Sequence, residues 1–207
     1  MRKVIERGMF SAIVVLSCSA LAIGQAPPAG RGAPPRVSLW VTTTAWPDGG
    51  EIPMRYSMRG DNKSPAFEFH WSLGTNPATP PENLKTYVVT LRDMENSSNK
   101  TATDTLHWAA FNIPGTATGL PEGLAAGDLP DGTRNGPGFA SGRGSTPVYA
   151  GPGAGPGPIH HYAFEFYALD TKLDLPANTS RDDLLKAMDG HVIGKAAWFG
   201  RFHAPPQ

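Results

Sequence analysis

Apolar and polar positions alternate with a period of two along much of this chain, which is the pattern of half-buried strands. LKTYVVTLRDME (84–95) carries it most clearly. Side chains alternate across a strand, so Tyr87, Val89, Leu91, Asp93 and Glu95 share one face. That face is apolar until its last two positions, where it becomes acidic. LHWAAFNIP (106–114) puts His107 with Ala109, Phe111 and Ile113, and Pro114 stops it. HHYAFEFYALD (160–170) puts His160 with Tyr162, Phe164 and Phe166. RVSLWVTTTAWPDGG (36–50) reads as a first strand and turn, and VIGKAAWFGRF (192–202) as a closing strand. EIPMRYSMRGDNKSPAF (51–67) has Pro53 and Pro65 at edges or bends, and Gly115 to Ala150 is mostly loop.

One segment has helical character. In TSRDDLLKAMDG (179–190), Thr179 or Ser180 can cap, Asp182 and Asp183 suit the first turn, and Gly190 can end it. The predicted fold is mostly β, in antiparallel-compatible pieces, with one short helix in the C-terminal half and long loops.

Three of these strands carry an ionisable group on an apolar face near one end. An unpaired buried charge costs several kcal/mol, so such groups tend to sit at a core's rim and pair. If the three ends converge, Asp93, Glu95, His107 and His160 line one pocket. Parity assigns faces and leaves strand order open. Each residue also has an ordinary reading: His107 as a hydrogen-bonded core histidine, Asp93 as the start of a turn, Gly151 to Pro158 as a connector. The coincidence of the three favours a site. The five tryptophans, Trp40, Trp46, Trp71, Trp108 and Trp198, read as core, with Trp108 on the face away from His107.

Composition narrows the class. Charged residues are 17 %, and 24 glycines and 21 prolines favour turns over long helices. Formal net charge is zero with no Lys/Arg run, so nucleic acid is not an expected partner. Residues 1–26 read as an export signal: Arg2, Lys3 and Arg7 precede the apolar run Met9 to Ile23, too short to span a bilayer. Ala20-Leu21-Ala22 offers a cleavage site. Arg2, Lys3 and Arg7 against Glu6 give the leader +2, which leaves the rest at −2. Residues 27–36 form a Pro/Gly linker, and 37–207 form the domain. The single cysteine, Cys18, lies in the leader; a lipoprotein cut before it is the alternative, with a looser match. Either route predicts a periplasmic or secreted domain, folded without disulfides and without a membrane span.

Other chemistries lack their motifs. There is no H-E-x-x-H and no cysteine pair, and His161 points opposite to His160, so no metal is expected. No G-x-S-x-G occurs, and GPGAGPG leads into a strand rather than a helix, so neither a nucleophile elbow nor a dinucleotide cofactor is expected.

At these residues the chain resembles the phosphatidylethanolamine-binding protein family, in its bacterial Raf-kinase-inhibitor-like branch. The match runs in order from Glu51 to Phe202. NKSPAF with Trp71 is similar to the family's S-P-x-x-x-W, and TYVVTLRDME stands where the strand ending in D-P-D does. LHWAAFNIP with LPEGL resembles H-W…N-I-P…L-P-E-G, and YAGPG…HHYAFEFYALD resembles Y-x-G-P…H-R-Y-x-F-x-x-Y-A-L-D. The resemblance implies a β-sandwich with a small anion pocket, where Asp93, His107, Pro152, His160 and Tyr162 would correspond to pocket residues. Glu95 replaces the family's second Asp, His161 its Arg, and Gly153-Ala154-Gly155 the frequent Cys-Pro-Pro.

The residue types agree with that implication. Imidazoles and amides from the glycine-rich loop can donate to phosphate, and Asp93 or Glu95 can accept from an ethanolamine ammonium. A nearby carboxylate is expected to favour protonated His107 or His160. The main reading is an exported, non-enzymatic binding protein for a small anion or phospholipid headgroup. An inhibitor of a peptidase or other envelope enzyme is the second. A hydrolase using a His/carboxylate pair ranks third, for want of a nucleophile or metal set.

Overall fold

Eleven strands and one α-helix make up the fold in a computed structural model that describes residues 36–97, 100, 102–138 and 148–206. The expected export signal and the expected linker as far as residue 35 lie outside the described residues. In chain order the strands are β1 (Val37–Thr42), β2 (Gly50–Glu51), β3 (Phe67–Leu73), β4 (Asn76–Pro77), β5 (Thr86–Asp93) and β6 (Thr105–Pro114). They continue with β7 (Gly119–Leu120), β8 (Gly127–Asp128), β9 (Arg134–Gly138), β10 (His160–Leu169) and β11 (Val192–Phe202). Helix α1 (Arg181–Met188) lies between the last two.

The strands form two sheets. In the smaller, β3 pairs with β1 on one side and with β4 and β7 on the other. The larger runs β2-β11-β10-β5-β6-β9-β8, antiparallel except where β2 joins β11. The alternation explains the layers. Tyr87, Val89, Leu91, Phe164 and Phe166 face the smaller sheet and are buried with Phe67, Phe69 and Trp71. Phe67 meets Phe166 at 4.7 Å and Phe164 at 5.3 Å between ring centroids. On the opposite face, Val88, Ala109, Phe111, Tyr167 and Leu169 pack with Leu184 and Met188 of α1. The helix starts and stops on its predicted signals. Ser180 Oγ accepts the Asp183 N–H at 3.1 Å, and Gly190 leaves at φ +81°, a left-handed conformation that suits glycine.

Several expectations change. β3 repeats the alternation through Phe67, Phe69 and Trp71, beyond where the sequence reading ended. The 115–150 loop contains β7, β8 and β9, which are too short and glycine-rich to show a period. Trp40 is 47 % exposed and stacks on His70 at 4.2 Å, whereas Trp46, Trp71 and Trp108 are buried.

Strand β6 breaks parity twice. Register passes from Leu91↔Trp108 to Arg92↔Leu106, which leaves His107 as an extra residue in a β-bulge. A second irregularity lies between Val89↔Ala110 and Tyr87↔Ile113, where Asn112 sits at φ +55°. Between the bulges Trp108 and Ala110 face the sandwich interior, and Ala109 and Phe111 face the helix layer. The expected common face of His107, Ala109, Phe111 and Ile113 is therefore split. Trp108 does not turn away from His107's side. It packs edge-on to Tyr149 inside the sandwich and donates to Asn135 Oδ1 at 2.7 Å.

Candidate functional site

The three strand ends meet. β5 lies between β10 and β6, with Tyr162 opposite Asp93 and Asp93 opposite Thr105. Asp93, the last residue of β5, is 1 % exposed. Its Oδ1 accepts the N–H groups of Glu95 and Asn96, each at 3.0 Å, which ends the strand in a side-chain-locked turn. Its Oδ2 lies 2.8 Å from His160 Nδ1 and 3.8 Å from His107 Nε2. A carboxylate only accepts, so His160 Nδ1 carries the shared proton and its Nε2 is the ring's second nitrogen.

His107 is buried to the same degree as Asp93. Its Nδ1 donates to the Gly151 carbonyl at 2.8 Å, which fixes the tautomer in the neutral ring. Burial pushes its pKa below the ordinary 6.5 and outweighs the pull of the Gly151 carbonyl and of Asp93. That corrects the expectation that a nearby carboxylate would keep it protonated. Tyr162 completes the cluster. Its hydroxyl accepts the N–H groups of Gly153 and Ala154 at 3.2 Å and hydrogen-bonds Asp93, to which it can donate. Burial first, and Asp93 next, push its pKa far above the usual phenol range. The His107 ring stands edge-on to Tyr162 at 5.4 Å.

The glycine-rich loop forms one wall, in a different way from that expected. Its amides at Gly153 and Ala154 are held by Tyr162, and the Gly151 N–H by Asn62 Oδ1 at 2.9 Å. These three do not face an anion. Pro152 is buried, and its carbonyl accepts the Met58 N–H at 2.9 Å, so it anchors the loop. Glycine is needed at 151, because a Cβ there would come within 2.0 Å of the Tyr56 carbonyl oxygen. A Cβ on Gly153 would meet Met58 Cε at 2.3 Å and His107 Cε1 at 3.8 Å, so the loop packs closely against both side chains here.

Two residues that the sequence reading missed lie in the segment against this loop. Asn62, at φ +53°, bonds Gly151 and the Tyr149 carbonyl. Arg59 donates to the Gly153 carbonyl from Nε at 3.3 Å and Nη2 at 3.1 Å, which sets a permanent cation beside the loop. The φ-permissive Asn in RGDN was the available signal for the turn; nothing local marked the arginine.

Glu95 is exposed and tied to the neighbouring strand end: its carboxylate accepts the His161 N–H and its Nδ1–H, both at 2.7 Å. One donor atom each from Asp93, Glu95 and His160 lies within 4.8 Å of the others, a spacing that could hold a cation. The Asp93 oxygens there are already engaged by two backbone amides, His160 and Tyr162. The structure thus brings Asp93, His107, His160, Tyr162 and Glu95 together, with Pro152 as loop scaffold.

The family profile described as phosphatidylethanolamine-binding protein matches residues 42–203. The chain belongs to the phosphatidylethanolamine-binding protein family. A UPF0098 protein of Methanothermobacter thermautotrophicus is 38 % identical over 161 residues, covering 77 % of this chain and 95 % of that one. Among solved structures, the putative family homologue CT736 of Chlamydia trachomatis superposes with a TM-score of 0.65 at 26 % identity, covering 81 % of this chain and 98 % of that one. Escherichia coli YbcL, described as a new member of the mammalian family, gives 0.63 at 25 %, covering 81 % and 99 %. The family assignment and the mostly-β sandwich expected from the sequence both stand, with a fold of binding-protein type.

Proposed function

We propose that this chain is an exported, non-enzymatic binding protein whose Asp93 pocket takes small phosphate-containing anions, free or as a phospholipid headgroup. The observation that carries the reading is the convergence of His107 and His160 on Asp93, with Tyr162 hydrogen-bonded to the same carboxylate. The pocket has mixed sign. Arg59 and the two imidazoles attract phosphate, and Asp93 and Glu95 suit an attached ammonium. An arriving anion favours the imidazolium form, so binding takes up a proton at His107.

Histidine ring signals followed by NMR during titration with phosphate and phosphoethanolamine test this. His107 and His160 respond at millimolar ligand; silence from both sinks the reading. Export belongs to the same proposal. Amino-terminal sequencing of protein recovered from the cell envelope or medium should find a start after Ala22, and an intact leader there contradicts it.

A further inference from the structure

We infer that a second site lies on the opposite face of the larger sheet, between β5, β10 and α1, and takes a small monocarboxylate with a short apolar chain. It is separate from the Asp93 pocket. Arg92 and Asp93 are neighbours on β5, and strand alternation sends them to opposite faces. A cavity of about 230 Å³ opens over Thr90, Arg92 and Glu165 of the sheet, and Arg181, Leu184 and Leu185 of α1 bound it from the other side. That volume lies just below the range of drug-sized ligands, so it suits a molecule of few atoms.

Two groups in the cavity await a partner. Thr90 is 3 % exposed, and its Oγ1 has no hydrogen-bond partner among the described residues. A buried hydroxyl left unpaired costs stability, and valine would fill the same strand position without that cost. Arg181 supplies the second group. Its Nη1 donates to the Asp104 carbonyl at 3.0 Å and meets Asp104 Oδ1 at 2.6 Å, which leaves Nε and Nη2 without a partner among the described residues. Those two nitrogens form one edge of the guanidinium, a two-donor fork that matches a carboxylate.

The surrounding charges set the ligand's class. Arg92 pairs with Asp104 through Nη1, and its Nε faces Glu165 Oε2 at 2.9 Å. Glu165 also accepts from the Tyr167 hydroxyl at 2.9 Å and lies 3.2 Å from Lys195 Nζ. Burial pushes the Glu165 pKa up, but the Tyr167 hydrogen bond and the charges of Arg92 and Lys195 outweigh it and hold the carboxyl below its ordinary range. Arg92, Arg181 and Lys195 thus meet the carboxylates of Asp104 and Glu165, a network with one positive charge in surplus. A monoanion balances that surplus, and a phosphate dianion exceeds it. Leu184 and Leu185 give the cavity an apolar wall, against which the ligand's chain is buried.

NMR titration of the protein with sodium butyrate tests the inference, with butylammonium chloride as the cation of like shape and the ionic strength held constant. The methyl signals of Leu184 and Leu185 should shift saturably at millimolar butyrate and stay still with butylammonium. Arg181→Met should weaken butyrate binding about tenfold. Thr90→Val keeps the shape of the side chain, and so the fold, and should weaken it about threefold. Loss of affinity in both variants supports the site. No saturable leucine shift in the wild type, equal shifts with butylammonium, or wild-type affinity in either variant overturns it. The ring signals of His107 and His160 tell this site from the Asp93 pocket. Butyrate shifts confined to those rings overturn the second site, whereas leucine shifts with silent rings support it independently of the Asp93 pocket.

Discussion

His160 and His161 are adjacent on β10, and each donates its Nδ1–H to a carboxylate, at 2.8 Å to Asp93 and 2.7 Å to Glu95. Distance does not separate the two pairs; surroundings do. The Asp93 side chain is 2 % exposed and also holds two backbone amides and Tyr162, with His107 alongside. Glu95 and His161 stand at 42 % and 55 % exposure. In water an ion pair contributes roughly 0.2–1 kcal/mol, whereas removing one partner of a buried network costs about 3–5 kcal/mol. Strand alternation sends neighbouring side chains to opposite sides, and so makes one pair a structural hub and the other a surface tie.

The largest expected effect follows from removing the hub. Asp93→Ala should lose about 3 kcal/mol or more in urea denaturation and abolish the phosphate response, because it strands the strand-end amides, His160 and Tyr162 together. A loss below about 1 kcal/mol would put Asp93 on a par with Glu95 and erase the contrast.

Next is the pH dependence set by His107. The folded protein holds that proton less tightly than the unfolded chain, whose histidine titrates near 6.5. Its contribution is present in full above that pH and is lost as the pH falls through the lower folded value. His107→Gln should therefore flatten the decline in stability just below pH 6.5, measured by denaturation across a pH series. Anion binding runs the other way, since it favours the imidazolium. Sulfate, whose charge is constant over this range, should bind more tightly as the pH falls, and a flat profile contradicts proton uptake.

Arg59 is intermediate. Its guanidinium is outside the hub but bonds the loop at Gly153. Arg59→Met should weaken phosphate binding about threefold to tenfold and reduce its sensitivity to salt, with the melting temperature nearly unchanged. The smallest effect is at the surface tie. Glu95→Gln should change stability by less than about 0.5 kcal/mol and leave affinity for inorganic phosphate within about twofold.

Strand alternation made much of this site readable. Asp93 on the face of Tyr87 to Leu91, and His160 on the face of Tyr162 to Phe166, sit where their parity puts them. His107 reaches the same cluster for a reason that alternation hides. The bulge beside Leu91 inserts one residue, and no local feature of LHWAAF marks it. The Gly151–Pro158 loop was legible as a wall, but the direction of its amides was not. Tyr162 captures two of them, and that depends on a tertiary contact. Arg59 was hidden for the same reason, since its contact with Gly153 joins segments far apart in the chain.

A crystal structure of the protein grown with phosphate tests the central claim most directly. The account predicts an anion against the cluster of Asp93, His107, His160 and Tyr162, within hydrogen-bonding distance of His107 Nε2 or His160 Nε2. A phosphate bound elsewhere while these four side chains keep their free arrangement would contradict it.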